Sequence, residues 1–301
     1  MHPKKLVLFC VLLLCLSILT TAGFSPGNSK ASAATNTPTF TRGLVSVTFD
    51  DTLISQYANA LPALNSSGIK GTFYTVTSDV NNGQDYMSLA NLAAIKNSGH
   101  EIASHSATHP PTETDPRFIT ELTDTELTNE LAGSKSWLES HGLGPIYDFA
   151  YPNGDYNDTV EAATKQYYIS GREGFAKYGF ETNNDDAGNF NLTRIHVKRV
   201  LPTTTADEIT TWVNNAKDNN EWLVLMYHWV DALTPTPGPN DIDDYWYSIA
   251  PADFQAQMEA IHNAIAILPD PTRLASVTVK QALDEICPPT VTHRCPEAMD
   301  Q

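Results

Sequence analysis

Leu44-Val45-Ser46-Val47-Thr48-Phe49-Asp50-Asp51 is the stretch that decides the fold class. Residues 44–49 are a β-branched and aromatic run, the composition of a strand. Two carboxylates close it. Downstream, residues 57–64 have apolar side chains at helical spacing, and 69–76 read as a second strand. The alternation continues with a helix over 89–95 and a short strand over 101–104. Next come a long helix over 124–140 with Thr123 or Asp124 as cap, a strand over 146–151 and a helix over 158–166. Strands over 167–170, 195–200, 222–228 and 276–279 are interleaved with helices over 206–217, 251–267 and 280–286. Strands alternating with helices predict βαβ units and a parallel sheet. Seven or eight strands fit a closed or nearly closed α/β barrel, in which chemistry sits at the C-terminal ends of the strands. No internal repeat is visible.

Three strand ends carry ionisable groups. Asp50 and Asp51 follow the first strand, and adjacent carboxylates raise each other's pKa unless a cation relieves them. Alone, such a pair is also a common turn or helix cap. His105-Ser106-Ala107-Thr108-His109 follows the strand over 101–104. Two imidazoles four residues apart share a face if the loop turns helically, a spacing that suits one metal ion. With a carboxylate they make a two-His, one-carboxylate set with open positions for water. Tyr227-His228 ends the strand over 222–228. A lone His there is more often structural, but a third ionisable strand end converges on the same rim.

The order and spacing of these pieces resemble the polysaccharide deacetylases, the NodB-homology or carbohydrate esterase family 4 domain. Thr48 to Asp51 resembles its first motif and His105 to His109 its second. Phe149-Ala150-Tyr151-Pro152-Asn153-Gly154 resembles the third, and Leu225-Met226-Tyr227-His228 the last. The resemblance spans roughly 45–286 and implies a distorted (β/α)7 barrel and a divalent metal, commonly zinc. It implies Asp51, His105 and His109 as metal ligands, Asp50 as general base and His228 as general acid. The backbone N–H of Asn153, with Tyr151 beside it, would form the oxyanion and substrate side. The implied reaction is hydrolysis of the acetyl–nitrogen bond of an N-acetylglucosamine-containing polysaccharide by metal-activated water. Two departures stand out. Ala150 occupies the place of the Arg that holds the base in the family, and Asn153 replaces an aromatic residue. Arg172 follows another strand and can supply the guanidinium; a plain surface salt bridge is the competing reading.

The remaining chain sets boundaries. There are 18 Lys+Arg against 35 Asp+Glu, a net charge of −17. That argues against non-specific binding to nucleic acid or anionic membranes, both of which need a basic face. Lys4 and Lys5 precede an apolar run over 6–19, too short to span a bilayer, and Ala31-Ser32-Ala33 follows. This is a signal-peptide pattern, so residues 1–34 are expected to be cleaved and the protein secreted, extracellular or in the cell envelope. No stable membrane insertion is expected thereafter. A polar leader over 35–42, the deacetylase-like domain over 43–287 and a tail over 288–301 complete the expected layout. Cys10 and Cys15 leave with the signal; Cys287 and Cys295 are expected to pair in an oxidising compartment. The polar stretch 181–189 fails the spacing of a calcium loop and reads as solvated. Residues 234–244, rich in Pro, Gly and Asp, read as a surface loop. Trp229, Tyr245, Trp246 and Tyr247 offer either a sugar-stacking platform or ordinary packing.

Other functions remain to be separated. An O-acetyl esterase on xylan would use the same metal-water attack, with an easier leaving group. A glycan-binding homologue with an impaired site would need neither base nor acid, yet both are present. No Gly-x-Ser-x-Gly elbow, P-loop or Gly-x-Gly-x-x-Gly fingerprint occurs.

Overall fold

The computed structural model describes residues 40–174, 182–183, 191–232, 247–268 and 270–286. The signal segment, Cys287, Cys295, the tail, Tyr245, Trp246 and nearly all of the two polar stretches lie outside these residues. Among the described residues, no helix is long and apolar enough to cross a membrane.

Strand β1 (Gly43–Phe49) is buried along its whole length, which is why its sequence is apolar rather than strictly alternating. It sits at the centre of a parallel sheet. On one side lies β7 (Trp222–Tyr227), then β6 (Lys198–Arg199). On the other follow β2 (Gly71–Thr75), β3 (Glu101–Ser104), β4 (Asp148–Ala150) and β5 (Ser170–Arg172). Two strands share the β2 edge of β1. Its first residues, Gly43 to Val45, pair with β8 (Leu274–Ser276), and Val47 to Phe49 pair with β2. The ring closes through one segment. Leu192 and Ile195 bond to β5 around Gly171, and the same segment then runs into β6, which pairs with β7. The strand expected over 195–200 is therefore divided between two neighbours, and neither ladder grows long. The architecture is the distorted (β/α)7 barrel.

Alternation along each strand sorts the core into two. Val45, Val47, Phe49, Phe73, Ile102 and Phe149 face outward and pack under the helices. Tyr74, Ala103, Ala150, Val224 and Met226 face the lumen. Continuing the same parity past the strand ends puts Asp50, His105 and His228 on the inner rim, with Arg172 just below them. Phe40 also belongs to the inner core and Arg42 pairs with Glu285 at 2.7 Å. Residues 40–42 are thus part of the domain rather than a free polar leader, because the apolar ring fills the base of the lumen.

Two helices depart from the expected regularity. The one expected over 124–140 is α3 (Asp124–Thr128), a π-helical turn (Asn129–Gly133) and α4 (Ser134–Ser140). The one expected over 57–64 begins as a π-turn (Gln56–Ala60) before α1 (Leu61–Ser66). Such wide turns carry an extra residue and recur near functional sites. By contrast α6 (Ala206–Asn219) is regular. Thr205 caps it, Ile209, Val213 and Ala216 form one buried stripe, and left-handed Asn220 ends it.

Candidate active site

The rim is built where backbone leaves the sheet under constraint. Asp51, Thr52, Ser106, His109 and Asn153 all have positive φ, between 56° and 72°. These left-handed residues are unusual without glycine and gather in the site loops. The Thr52 hydroxyl accepts the Val76 N–H at 2.8 Å. The Ser106 hydroxyl accepts the His109 N–H at 2.9 Å.

Both π-turns deliver a polar side chain to this rim, and neither was evident in the sequence. Gln56 donates its amide to the carbonyls of Asp50 and His228, tying the ends of β1 and β7 together. Glu130 accepts from the N–H groups of Ala107 and Thr108, each at 2.9 Å, and from the Thr108 hydroxyl at 2.8 Å. It clamps the loop between the two histidines. The sequence held no signal for it, because a π-turn keeps nearly the apolar spacing of an α-helix.

His105 Nδ1 lies 2.8 Å from the Ala150 carbonyl. A carbonyl only accepts, so Nδ1 carries the proton and Nε2 presents its lone pair to the rim. That Nε2 is 3.4 Å from Asp51 Oδ1, and His109 Nε2 is 3.6 Å from the same oxygen. Asp51 Oδ1 is buried and has no hydrogen-bond partner. The three ligand atoms lie within 4.8 Å of one another. Two ligands about 2.1 Å from one tetrahedral ion stand about 3.4 Å apart, so this donor set fits a small divalent cation.

Asp50 is buried, and its Oδ1 accepts a short hydrogen bond from Arg172 Nη2. Arg172 is the last residue of β5, not one beyond it, and its guanidinium crosses the lumen above the Tyr74 ring at 4.4 Å. Small Ala103 and Ala150 leave it room. Asp50 Oδ2 is 3.9 Å from both His105 Nε2 and His228 Nε2. His228 Nε2 is 3.6 Å from Asp51 Oδ2. Burial pushes the Asp51 carboxyl up, but His228, His105 and His109 overcome it and hold it well below the usual range. Burial lowers His109 to about 4 and lowers His228. Burial acts the same way on His105, but Asp50 and Asp51 outweigh it and raise that group.

A cavity of about 320 Å³ opens over these groups, walled also by Asn153, Gly154, Trp229 and Tyr247. The Tyr247 ring lies 4.5 Å from that of His228. In the Pro152–Gly154 turn, the N–H groups of Gly154 and Asp155 close onto Tyr151 and Pro152. Pro152 has no N–H, so the N–H of Asn153 is the one the turn itself does not use. Tyr151 is different from what its sequence position implies. Its N–H bonds to the Arg172 carbonyl and its hydroxyl to the Thr193 carbonyl, so it has no donor left for substrate and serves as wall. A wider groove of about 820 Å³ runs on from Asp51 and His109 toward Tyr86 and Arg117.

Comparison with known proteins agrees with this geometry. Over 128 residues the chain is 27% identical to YxkH of Bacillus subtilis (strain 168), whose name assigns it provisionally to the polysaccharide deacetylases; the match covers 42% of this chain and 43% of that protein's length. Two solved structures share the fold. One is the Xyl-CE4 domain of a multidomain xylanase from the hindgut metagenome of Trinervitermes trinervoides, with 17% identity, 81% of this chain, 91% of that one and a TM-score of 0.51. The other is the Bc1960 peptidoglycan N-acetylglucosamine deacetylase, with 15% identity, 80% and 88% coverage and a TM-score of 0.51. The model of the polysaccharide deacetylase family matches residues 37–170, which hold Asp50, Asp51, His105, His109 and the third motif. Over residues 37–170 this chain is therefore similar to the polysaccharide deacetylase family.

Proposed function

We propose that this chain is an exported, metal-dependent deacetylase that removes N-acetyl groups from an N-acetylglucosamine-containing glycan. The observation that carries the reading is the orphaned Asp51 Oδ1 facing two imidazole nitrogens, with Asp50 held by Arg172 beside it. Asp51, His105 and His109 would hold the metal, with zinc suited to two nitrogens and one oxygen. When bound, such an ion supplies Lewis acidity and lowers the pKa of a coordinated water to about 7.

The chain's own residues do the rest. Asp50 takes a proton from the attacking water, and Arg172 keeps that carboxylate turned toward it. The Asn153 N–H donates to the oxygen that becomes negative as the acetyl carbonyl is attacked. His228, whose Nε2 stands 3.9 Å from Asp50 Oδ2, receives that proton and passes it to the leaving nitrogen, which leaves Asp50 ionised again. An amine is a poor leaving group without that proton, so a buried His228 beside both carboxylates favours an amide over an ester substrate. Products are acetate and a free amino sugar. The signal-peptide pattern of residues 1–34 supports export.

The test is acetate release from N-acetylated chito-oligosaccharides and from acetylated xylan, each with added zinc and with chelator. Chelator-sensitive release from the N-acetylated glycan is expected. Faster release from xylan would make the enzyme an esterase, and no release from any acetylated glycan would leave a binding protein.

A further inference from the structure

Glu173 and His196 are almost wholly removed from solvent, and the chemistry above uses neither. We propose that Glu173 is a positioning residue, whose side chain, clamped by His196 and Tyr156, fixes the peptide that aims Arg172 at Asp50. This rests on the reading of Arg172 as the group that orients the base.

In a continuing strand the Glu173 carbonyl would bond to a neighbouring strand. Here it accepts Arg172's own Nη1 at 2.7 Å. The peptide has left the ladder, so something else must set its plane. The Glu173 N–H donates to the Ile195 carbonyl at 3.0 Å. The carboxylate takes His196 Nδ1 at 2.8 Å and the Tyr156 hydroxyl at 3.3 Å. The His196 backbone is anchored in turn, its main-chain N–H donating to Asn183 Oδ1 at 2.9 Å. On the other side, Gly174 lies backbone to backbone against the third motif. A Cβ there would stand 2.9 Å from the Gly154 nitrogen. Burying a carboxylate is costly unless it is paired, and an apolar pair would pack as well. What the hydrogen-bonded pair adds is direction. It fixes the peptide that lies between Arg172 and the Asn153 turn.

The experiment compares Glu173→Ala, Glu173→Gln, Arg172→Ala and the Arg172→Ala/Glu173→Ala double variant, measuring kcat and KM for acetate release from penta-N-acetylchitopentaose, plus zinc content. Glu173→Ala should lower kcat about tenfold or more, since small misplacements of reacting groups are costly. KM should change less than about twofold and zinc should stay bound. Glu173→Gln should recover most of the activity, because an amide can still meet His196 and Tyr156. In the Arg172→Ala background, Glu173→Ala should add nothing, as expected of residues acting in series. The same fold loss in both backgrounds, or normal kcat in Glu173→Ala, would overturn the proposal. An Arg172→Ala variant with full activity would instead overturn the role of Arg172, and a wild type that releases no acetate would overturn the function. If Glu173→Ala does not fold, His196→Ala loosens the same carboxylate from the other side and must show the same dependence on Arg172.

Discussion

The lumen of this barrel carries two pairs of carboxylates, one at each end, each joining a buried residue to a half-buried one, and they are stabilised in opposite ways. At the base, Asp148 lies beside Glu101, and burial together with Glu101 pushes the Asp148 carboxyl well up. Ser170 donates to Asp148 at 2.7 Å, and Thr72 to Glu101 at 2.8 Å. A proton taken up by the raised Asp148 carboxyl removes the repulsion. At the rim, Asp51 is held well down by three histidines, and Asp50 bonds to a buried arginine. There the charge is kept and a cation is invited. The difference shows why the same residue types read as structure at one end and as chemistry at the other. Both ends keep acceptor oxygens with no donor, Glu101 Oε1 and Asp148 Oδ2 at the base and Asp51 Oδ1 at the rim; a proton answers the base, whereas the imidazoles of His105 and His109 beside Asp51 suit a cation at the rim.

The contrast can be broken at several points. Removing an imidazole from the rim has the largest expected effect. His105→Ala or His109→Ala should cost more than about 10²-fold in kcat, beyond the usual loss when only a ligand's support is changed. Asp50→Asn should keep its metal and lose about 10²–10⁴-fold, the range for general acid–base catalysis. Near-normal turnover by that variant would place the base elsewhere. Arg172→Lys keeps the charge but loses the planar fork. Steady-state kinetics should show a fall of about 10–10²-fold with zinc content unchanged. Asp148→Asn should do least, with activity within about twofold of wild type, because an amide is uncharged, as a protonated carboxyl is. Its sign with pH is distinctive. A carboxyl whose folded pKa is raised contributes stability below its unfolded pKa of about 3.9 and loses it as pH rises. Urea midpoints should therefore favour the variant over wild type more at neutral pH than at about pH 4. A variant that becomes relatively weaker as pH rises would show Asp148 to be ionised, and the contrast between the two ends would collapse.

The strand ends were legible because a parallel barrel leaves its strands in uninterrupted apolar runs. Asp50, the His105–His109 pair and His228 stand out after such runs. Arg172 was visible as a candidate, but its path across the lumen depends on Ala103 and Ala150 being small, and that needs three-dimensional neighbours. Gln56 and Glu130 were not legible, since a π-turn has nearly the same apolar spacing as an α-helix. Tyr151 misled for a similar reason. Its partner Thr193 is 42 residues away in sequence. The segment at 192–199 resisted reading as one strand because it serves two neighbours in succession.

The central claim is that Asp51, with His105 and His109, holds one divalent ion. The direct measurement is zinc content after stripping with chelator and reloading, by elemental analysis of wild type and Asp51→Asn side by side. The account predicts one equivalent in wild type and little in the variant, with acetate release following the metal. Full zinc occupancy in Asp51→Asn, or a wild type that binds none, would contradict it.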